Sequence, residues 1–364
     1  MTPSEPLITT LIPTYRRPQL LRRAIRSVLA QTYPHFQVRV YDNASGDETA
    51  AVVRALAEAD RRVKYHCHPE NIGVFKNFVY AMERVETPFF SVLSDDDILL
   101  PDMYQVALAG IEKSPEAMIS VAPTIGVNEQ GRVWFVATSG RVAGLRTPPE
   151  AMLSMLENEQ PPIWTGMLFR REVLEKVGNL DEKVGTPFDL DFQLRIAAHF
   201  PIVASPRPAA ILVTHSGSHS ESGKFEERSS GWLELIRKIS RDEAIPYPAR
   251  RQAVDILNGS LKTWLLLSAR AFIVEGEWEK ANKAIAILRS YHHLSLWSFL
   301  LSVLTGTCRS VPPIQVLLKG LRFLKRWVVS VLPDPKGKQL ERTYGGYVRY
   351  LRLYAEGSGG MMGS

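Results

Sequence analysis

Three consecutive carboxylates, Asp95, Asp96 and Asp97, follow the apolar run Phe89 to Leu93 and precede Ile98-Leu99-Leu100-Pro101-Asp102. Adjacent carboxylates repel one another, so the arrangement is costly unless a cation or a solvated loop relieves it. Hard divalent ions prefer oxygen ligands, and Mg2+ or Mn2+ commonly take one or two carboxylates together with substrate phosphates. The triplet therefore points to a metal–diphosphate site, with an acidic N-cap for the helix that follows as the competing explanation.

The elements that must position these groups alternate in type. Leu7 to Pro13 is an apolar, β-branched run, and after it Leu20, Leu21, Ala24, Ile25, Val28 and Leu29 recur at helical spacing. Phe36 to Tyr41, Val63 to His66 and Phe89 to Leu93 read as three more strands, with Thr49 to Ala59 and Gly73 to Val85 as helices between them. Strands alternating with helices imply a parallel, doubly wound α/β sheet with right-handed crossovers. In such sheets ligands bind off the carboxyl ends of the strands. The polar residues at those ends are Thr14-Tyr15-Arg16-Arg17, Asp42-Asn43, His68 to Gly73 and Ser94 to Asp97. Each alone passes for a cap or a turn, but four on one rim make a site.

The order and spacing of IPTYRRPQLLRRAIRSVLAQTY, YDNASGDET, NIGVFKNF, LSDDDILLPD, GMLFRREVLEKVG, PFDLDFQLRIA and HSGSHS resemble glycosyltransferase family 2, an inverting family with the GT-A fold, over residues 7 to 221. The resemblance implies that Pro13, Thr14 and Tyr15 line a nucleotide pocket, that Arg16 holds the diphosphate, that Asp42 binds the base, and that Asn71 and Gly73 shape the ribose and diphosphate side. It makes Asp96 the direct metal ligand, with Asp97 supporting and Asp95 nearer the ribose or sugar. Read as a bare DxD, Asp95 and Asp97 would be the pair instead. Ser94 stands where the family commonly has an Asp.

The same resemblance places Trp164 and Gly166 on the acceptor side, where a glycine permits close backbone approach or simply makes a turn. It puts Asp189 at the position of the catalytic base, needed because an acceptor hydroxyl is a poor nucleophile until its proton is taken. Phe188 replaces the usual Glu before it. Asp191 is positioned to pair with Arg195 four residues on, a structural duty. His215 opens the segment that resembles the family's closing loop over the donor. An imidazole there can ligate Mn2+ or donate to phosphate, with Ser218 and Ser220 as weaker candidates.

The chain has 364 residues, 45% apolar and 23% charged, ordinary for a folded protein of two units. Cys67 and Cys308 are its only cysteines, which fits a reducing, cytoplasmic setting better than a disulfide framework. Neither a signal peptide nor an apolar run of about 18 residues is legible. The net charge of +6 is uneven, since residues 231 to 364 hold 20 Lys plus Arg against 10 Asp plus Glu. The expected organisation is a catalytic domain over 1–230, a basic helical region over 231–356 and a flexible tail over 357–364. Helical spacing runs through Trp232 to Arg241, Arg250 to Val274, Trp278 to Arg289 and Ile314 to Leu332. In the last, one apolar face flanked by Lys319, Arg322 and Arg326 reads as a helix lying on the inner membrane surface, or packed on the catalytic domain.

The expected partners are thus a nucleoside diphosphate sugar, a glycan or lipid-linked acceptor of surface polysaccharide or lipopolysaccharide, and a peripheral contact with the membrane. Nucleic acid is not among them, because the tail carries no recognition motif for it. A sugar-1-phosphate nucleotidyltransferase would need a Gly-rich phosphate loop after the first strand, and TYRRP has no glycine. A degenerate sugar-binding scaffold is the other rival, motivated by Ser94 and Phe188.

Overall fold

The central sheet grows from β1 (Ile8–Thr14), which is buried along its whole length and pairs in parallel with β2 (Phe36–Asp42) on one side and β4 (Phe89–Val92) on the other. β3 (Val63–Cys67) continues in parallel beyond β2. β1 is covered on both faces, so Ile8, Leu11 and Ile12 do not alternate with exposed residues, and its buried threonines are paired, Thr9 with Thr87 and Thr10 with Ser91, each at 2.7 Å. The covering helices are α1 (Pro18–Leu29), α2 (Thr49–Ala59) and α3 (Val74–Met82). In this computed structural model, residues 5–138, 143–157, 161–214, 225–292, 295–311, 313–321 and 335–356 are described.

Immediately after the acidic triplet the chain forms the two-residue strand β5 (Ile98–Leu99), then α4 (Met103–Lys113), β6 (Ile119–Val121), β7 (Thr124–Asn128), β8 (Val133–Ala137) and β9 (Gly144–Arg146). Helix α5 (Glu150–Leu156), a single 3-10 turn at Trp164–Gly166 and β10 (Met167–Arg170) follow, then α6 (Val173–Lys176), α7 (Phe188–His199), β11 (Ile202–Ala204) and β12 (Ala210–Thr214). The large sheet has the order β3-β2-β1-β4-β10-β6-β11-β9, and a smaller one the order β5-β12-β7-β8. β10 runs antiparallel to β4. Its amino end therefore lies at the carboxyl edge of β1–β4, and Trp164–Gly166 is delivered to the rim where the acidic turn stands.

After β12 come α8 (Phe225–Arg241), α9 (Tyr247–Glu275), α10 (Trp278–His292) and α11 (Ser295–Ser310), then α12 (Pro335–Tyr344) and α13 (Arg349–Glu356). No strand occurs among the described residues after 214. In α9 the buried side chains are Ala249, Ala253, Leu257, Leu261, Leu265, Ala269 and Ile273, one every four residues. That spacing makes a single ridge along the helix, and the ridge joins a core that also contains Met152 of α5, Leu194 of α7 and Phe169 of β10. The helical region thus shares the catalytic core, and the expected boundary at 230 falls inside α8.

The last helices return to the catalytic half. Tyr354 packs with Ile98, Leu100, Ile125 and Ile211 of the smaller sheet. Arg26 of α1 donates to the carbonyls of Tyr354 and Ala355 at 3.3 and 3.1 Å, and Val133 N donates to Glu341 at 3.0 Å. The apolar stripe expected from Ile314 onward is divided. Ile314 and Leu318 pack inward, whereas Val316, Leu317 and Leu321 face outward. Residues 322–332 and the tail 357–364 lie outside the described residues, and no described helix is long and apolar enough to cross a membrane.

Candidate active site

A cleft of about 350 Å3 opens at the carboxyl edge of β1–β4. Pro13, Thr14, Tyr15, Asp95, Asp96, Asp97, Trp164 and Asp189, all marked by the sequence, line it together. Arg17, Asn43, Asn77, Thr165 and Thr186 line it as well.

The rim at the ends of β1, β2 and β3 is built by three loops tied to one another. Asn43 N donates to the Thr14 carbonyl at 3.0 Å, joining the ends of β1 and β2. Asn43 also donates to Asn71 at 3.0 Å and accepts from Ile72 N at 2.8 Å, which draws in the loop after β3. Arg16 and Ala44 hold left-handed backbone at φ 55° and 59°, conformations that cost of order 1–3 kcal/mol each. Ser45 holds Arg16 in this conformation: Arg16 N and Nε donate to the hydroxyl and carbonyl of Ser45 at 2.8 and 3.1 Å. Gly73 at φ 85° needs no side-chain space but does need the absence of a Cβ.

Several marked residues support this rim from outside the cleft lining. Asp42 is buried, accepting from Ser45 N and Oγ at 2.9 and 2.6 Å and from Tyr65 at 2.7 Å. Asn71 accepts from Gly73 N at 2.9 Å. Arg16 turns to Ser45, and it is Arg17 that reaches the carboxylates, donating to Asp95 at 3.2 Å and Asp96 at 3.0 Å. The sequence offered both arginines on the same loop, and only the left-handed turn at Arg16 decides between them. Gly166 is buried off the cleft. A Cβ there would come within 2.7 Å of the Ala122 carbonyl and of Thr124 Oγ1, so its close approach is to its own sheet and its duty is packing.

The acidic turn is held residue by residue. Thr14 donates to Asp95 at 2.7 Å, Arg23 of α1 donates to the Asp96 carbonyl, and Asp97 accepts from Thr165 and Val213 N, each at 3.1 Å. Burial and the neighbouring Asp96 push the Asp95 carboxyl up to about 6, offset in part by Thr14 and Arg17. Burial and Asp96 likewise push Asp97 well above the usual carboxylate range. Among the described residues no three His, Cys, Asp or Glu side chains converge on one point. The carboxylates of Asp95 and Asp96 at the cleft are hard oxygen donors of the kind that Mg2+ or Mn2+ takes one or two of. His215 follows Thr214 of the cleft wall in sequence and lies outside the described residues, as do Ser218 and Ser220.

The raised Asp95 value has a consequence for stability. A carboxyl that is tighter for its proton when folded than when unfolded keeps that proton from about pH 4 to about pH 6, so its contribution to stability falls as pH rises through that window. In chelator, Asp95→Asn should gain on the unsubstituted protein by up to about 3 kcal/mol between pH 4 and pH 7. Denaturant unfolding at both pH values measures it, and a gap independent of pH contradicts a carboxyl raised by burial and by Asp96.

Asp189 and its aromatic neighbours line the same cleft as this turn. Asp189 lies in the first turn of α7, where its Oδ1 accepts from Leu190 N at 2.8 Å. Burial raises its carboxyl above the usual range, with the Leu190 hydrogen bond and the nearby Arg228 of α8 working against the rise. Phe188 packs edge-on to Phe75 at 5.4 Å and tilted against Phe78 and Trp164 at 5.7 Å. The aromatic substitution thus builds an apolar wall beside Asp189. Asp191 turns away, pairing with Arg195 at 2.8 Å as its spacing implied and also with Lys238 at 2.7 Å.

A family model described as Glycosyl transferase family 2 matches residues 9–178. An uncharacterized glycosyltransferase of Rickettsia typhi (strain ATCC VR-144 / Wilmington) is 33% identical over 246 residues, covering 66% of this chain and 74% of that protein. Another, from Rickettsia bellii (strain RML369-C), is 26% identical over 254 residues, and the chain spans 35% of its length. The chain belongs to glycosyl transferase family 2. Its fold is that of S. aureus TarS 1–349 in complex with UDP-GlcNAc, with a TM-score of 0.61, 16% identity and coverage of 83% and 91% of the two chains. It also resembles the mannosyltransferase PcManGT from Pyrobaculum calidifontis in complex with GDP-Man and Mn2+, at a TM-score of 0.51 and 17% identity over 97% and 87%.

Proposed function

We propose that this protein is an inverting glycosyltransferase that moves a sugar from a nucleoside diphosphate sugar to a hydroxyl of a glycan or lipid-linked acceptor in bacterial surface polysaccharide or lipopolysaccharide synthesis. The observation that carries the reading is that one cleft holds both the acidic turn after β4 and Asp189 at the start of α7. UDP-GlcNAc and GDP-Man in the two similar structures support a nucleotide sugar as donor.

Thr14, Tyr15 and Asn43 border the nucleotide, and Arg17 stands ready for the diphosphate. Asp189 takes the proton of the acceptor hydroxyl as its oxygen attacks the anomeric carbon. The bond from that carbon to the diphosphate oxygen breaks on the opposite face, and nucleoside diphosphate leaves. Mn2+ or Mg2+, held at Asp96 with Asp97 behind it, would neutralise charge on the leaving diphosphate. Trp164 and Phe188 exclude water from the acceptor side. In this reading the groups that touch substrate all precede residue 230, and the later helices give support and surface.

The surface is of a particular kind. Phe299, Leu300 and Val303 of α11 and Val316, Leu317 and Leu321 are exposed, with Arg309 and Lys319 exposed among them. Apolar side chains beside cations suit an anionic bilayer, which supports a peripheral contact with the cytoplasmic face of the membrane. Co-flotation with vesicles carrying anionic lipid, reduced at least tenfold by Leu317→Glu with Leu321→Glu, is the expected result. Equal recovery with neutral vesicles, or none with either, contradicts it.

The donor reading itself is tested by incubating the protein with UDP-, GDP-, CDP- and dTDP-sugars and Mn2+ or Mg2+. Release of nucleoside diphosphate from one nucleotide class, stopped by chelator, is expected. A folded protein that binds and cleaves none of them favours the sugar-binding scaffold.

A further inference from the structure

Asp189 is carried by a segment with little to fix it from within. Residues 181–191 make a 3-10 turn at Glu182–Val184, a left-handed Gly185 at φ 59° and then Pro187, linked by local hydrogen bonds such as Phe188 N to the Gly185 carbonyl at 3.0 Å. Such bonds set the shape of the turn but not its distance from the sheet. On one side Phe188 leans on the aromatic wall. On the other lies α8.

Glu227, Gly231 and Lys238 stand four and then seven residues apart on α8, which puts them on one helical face. At Gly231 a Cβ would sit 1.9 Å from the Val184 carbonyl and 2.9 Å from Pro187 Cδ, so helix and turn touch backbone to backbone. At Gly185 a Cβ would meet the Glu227 carbonyl at 3.4 Å. Two turns further along, Lys238 Nζ reaches Asp181 at 2.8 Å and Asp191 at 2.7 Å, one at each end of the segment. A glycine inside a helix costs about 1 kcal/mol against alanine, and here the close approach accounts for it.

We infer that α8 is the clamp that sets the position of Asp189, with Gly231 and Lys238 as positioning residues. This rests on Asp189 being the base. Asp189 and α8 both lie beyond the family match, which ends at residue 178. Gly231 fixes how close the turn lies, and Lys238 ties down both its ends. A misplacement of about 1 Å can cost about 10²-fold in rate.

The test uses the full chain, Mn2+ and the nucleotide sugar that the unsubstituted protein cleaves, with water in place of the acceptor. Gly231→Ala and Lys238→Met should lower kcat by about 10²-fold while KM and the nucleotide-induced thermal shift stay within twofold, and Lys238→Arg should recover most of the rate. Lys238→Met removes no backbone contact, so it stands alone if Gly231→Ala does not fold. Unchanged kcat in a folded Lys238→Met, or loss of donor binding in step with kcat, overturns the clamp while Asp189→Asn remains inactive. Activity retained in Asp189→Asn overturns the assignment of the base and the clamp with it.

Discussion

Asp189→Asn loses transfer while still binding donor. Asparagine matches the size of the carboxylate and its oxygen can still accept from Leu190 N, so the first turn of α7 keeps its geometry. What is lost is the ability to take a proton as the acceptor oxygen attacks, worth about 10² to 10⁴ in rate. The pH profile carries the same information. Burial raises the Asp189 carboxyl, and only its ionised form is a base. Activity should therefore fall on the acid side at a pH above the ordinary carboxylate range, and that limb should vanish from the residual rate of Asp189→Asn. Steady-state rates from pH 4 to pH 9, beside a thermal-shift measurement of donor binding, test both parts.

Asp96→Ala fails at an earlier step. In the free protein the Asp96 carboxylate shares the Arg17 guanidinium with Asp95, and after burial its charge is what raises the carboxyls on both sides. Removing it relieves repulsion, so the metal-free protein should not lose stability. It also removes the group best placed to meet a cation beside the diphosphate. Metal-dependent donor affinity should fall by at least about 10-fold to 100-fold, since the loss of even an outer-shell partner of a metal ligand costs that much. Thermal unfolding with and without Mn2+ and the nucleotide sugar measures both effects. Donor binding that is unchanged and still stopped by chelator would move the cation to the alternative pair, Asp95 and Asp97.

The two variants draw on parts of the sequence that differ in how openly they show their role. β1, β2 and α2 were legible because local signals are strong: the two strands are short runs rich in apolar and β-branched residues bounded by turns, and α2 spans the expected Thr49–Ala59. The acidic turn was legible because three adjacent carboxylates have few other uses. Arg17 was hidden by its neighbour, since spacing cannot show that Arg16 takes a left-handed φ and turns to Ser45. Gly166 had two readings in the sequence, and the contact that separates them comes from Ala122 and Thr124, far away along the chain. β5, with two residues, is too short for any periodicity and exists because Ile98 and Leu99 pair with Ile211 and Ala210. The same holds for α12 and α13, whose tyrosines join an apolar cluster drawn from β5, β7, β8 and β12, more than 130 residues earlier in the chain. The ridge along α9 was read as a helix, but nothing local said that it would join the catalytic core.

The central claim is that a single cleft binds the donor through the acidic turn and activates the acceptor through Asp189. It is tested most directly by titrating the cleaved nucleotide sugar, with Mn2+ and again with chelator, into the unsubstituted protein, Asp96→Ala and Asp189→Asn side by side. The expected result is metal-dependent binding in the unsubstituted protein and in Asp189→Asn, and its loss in Asp96→Ala. Equal binding by all three, whether or not chelator is present, would contradict the account.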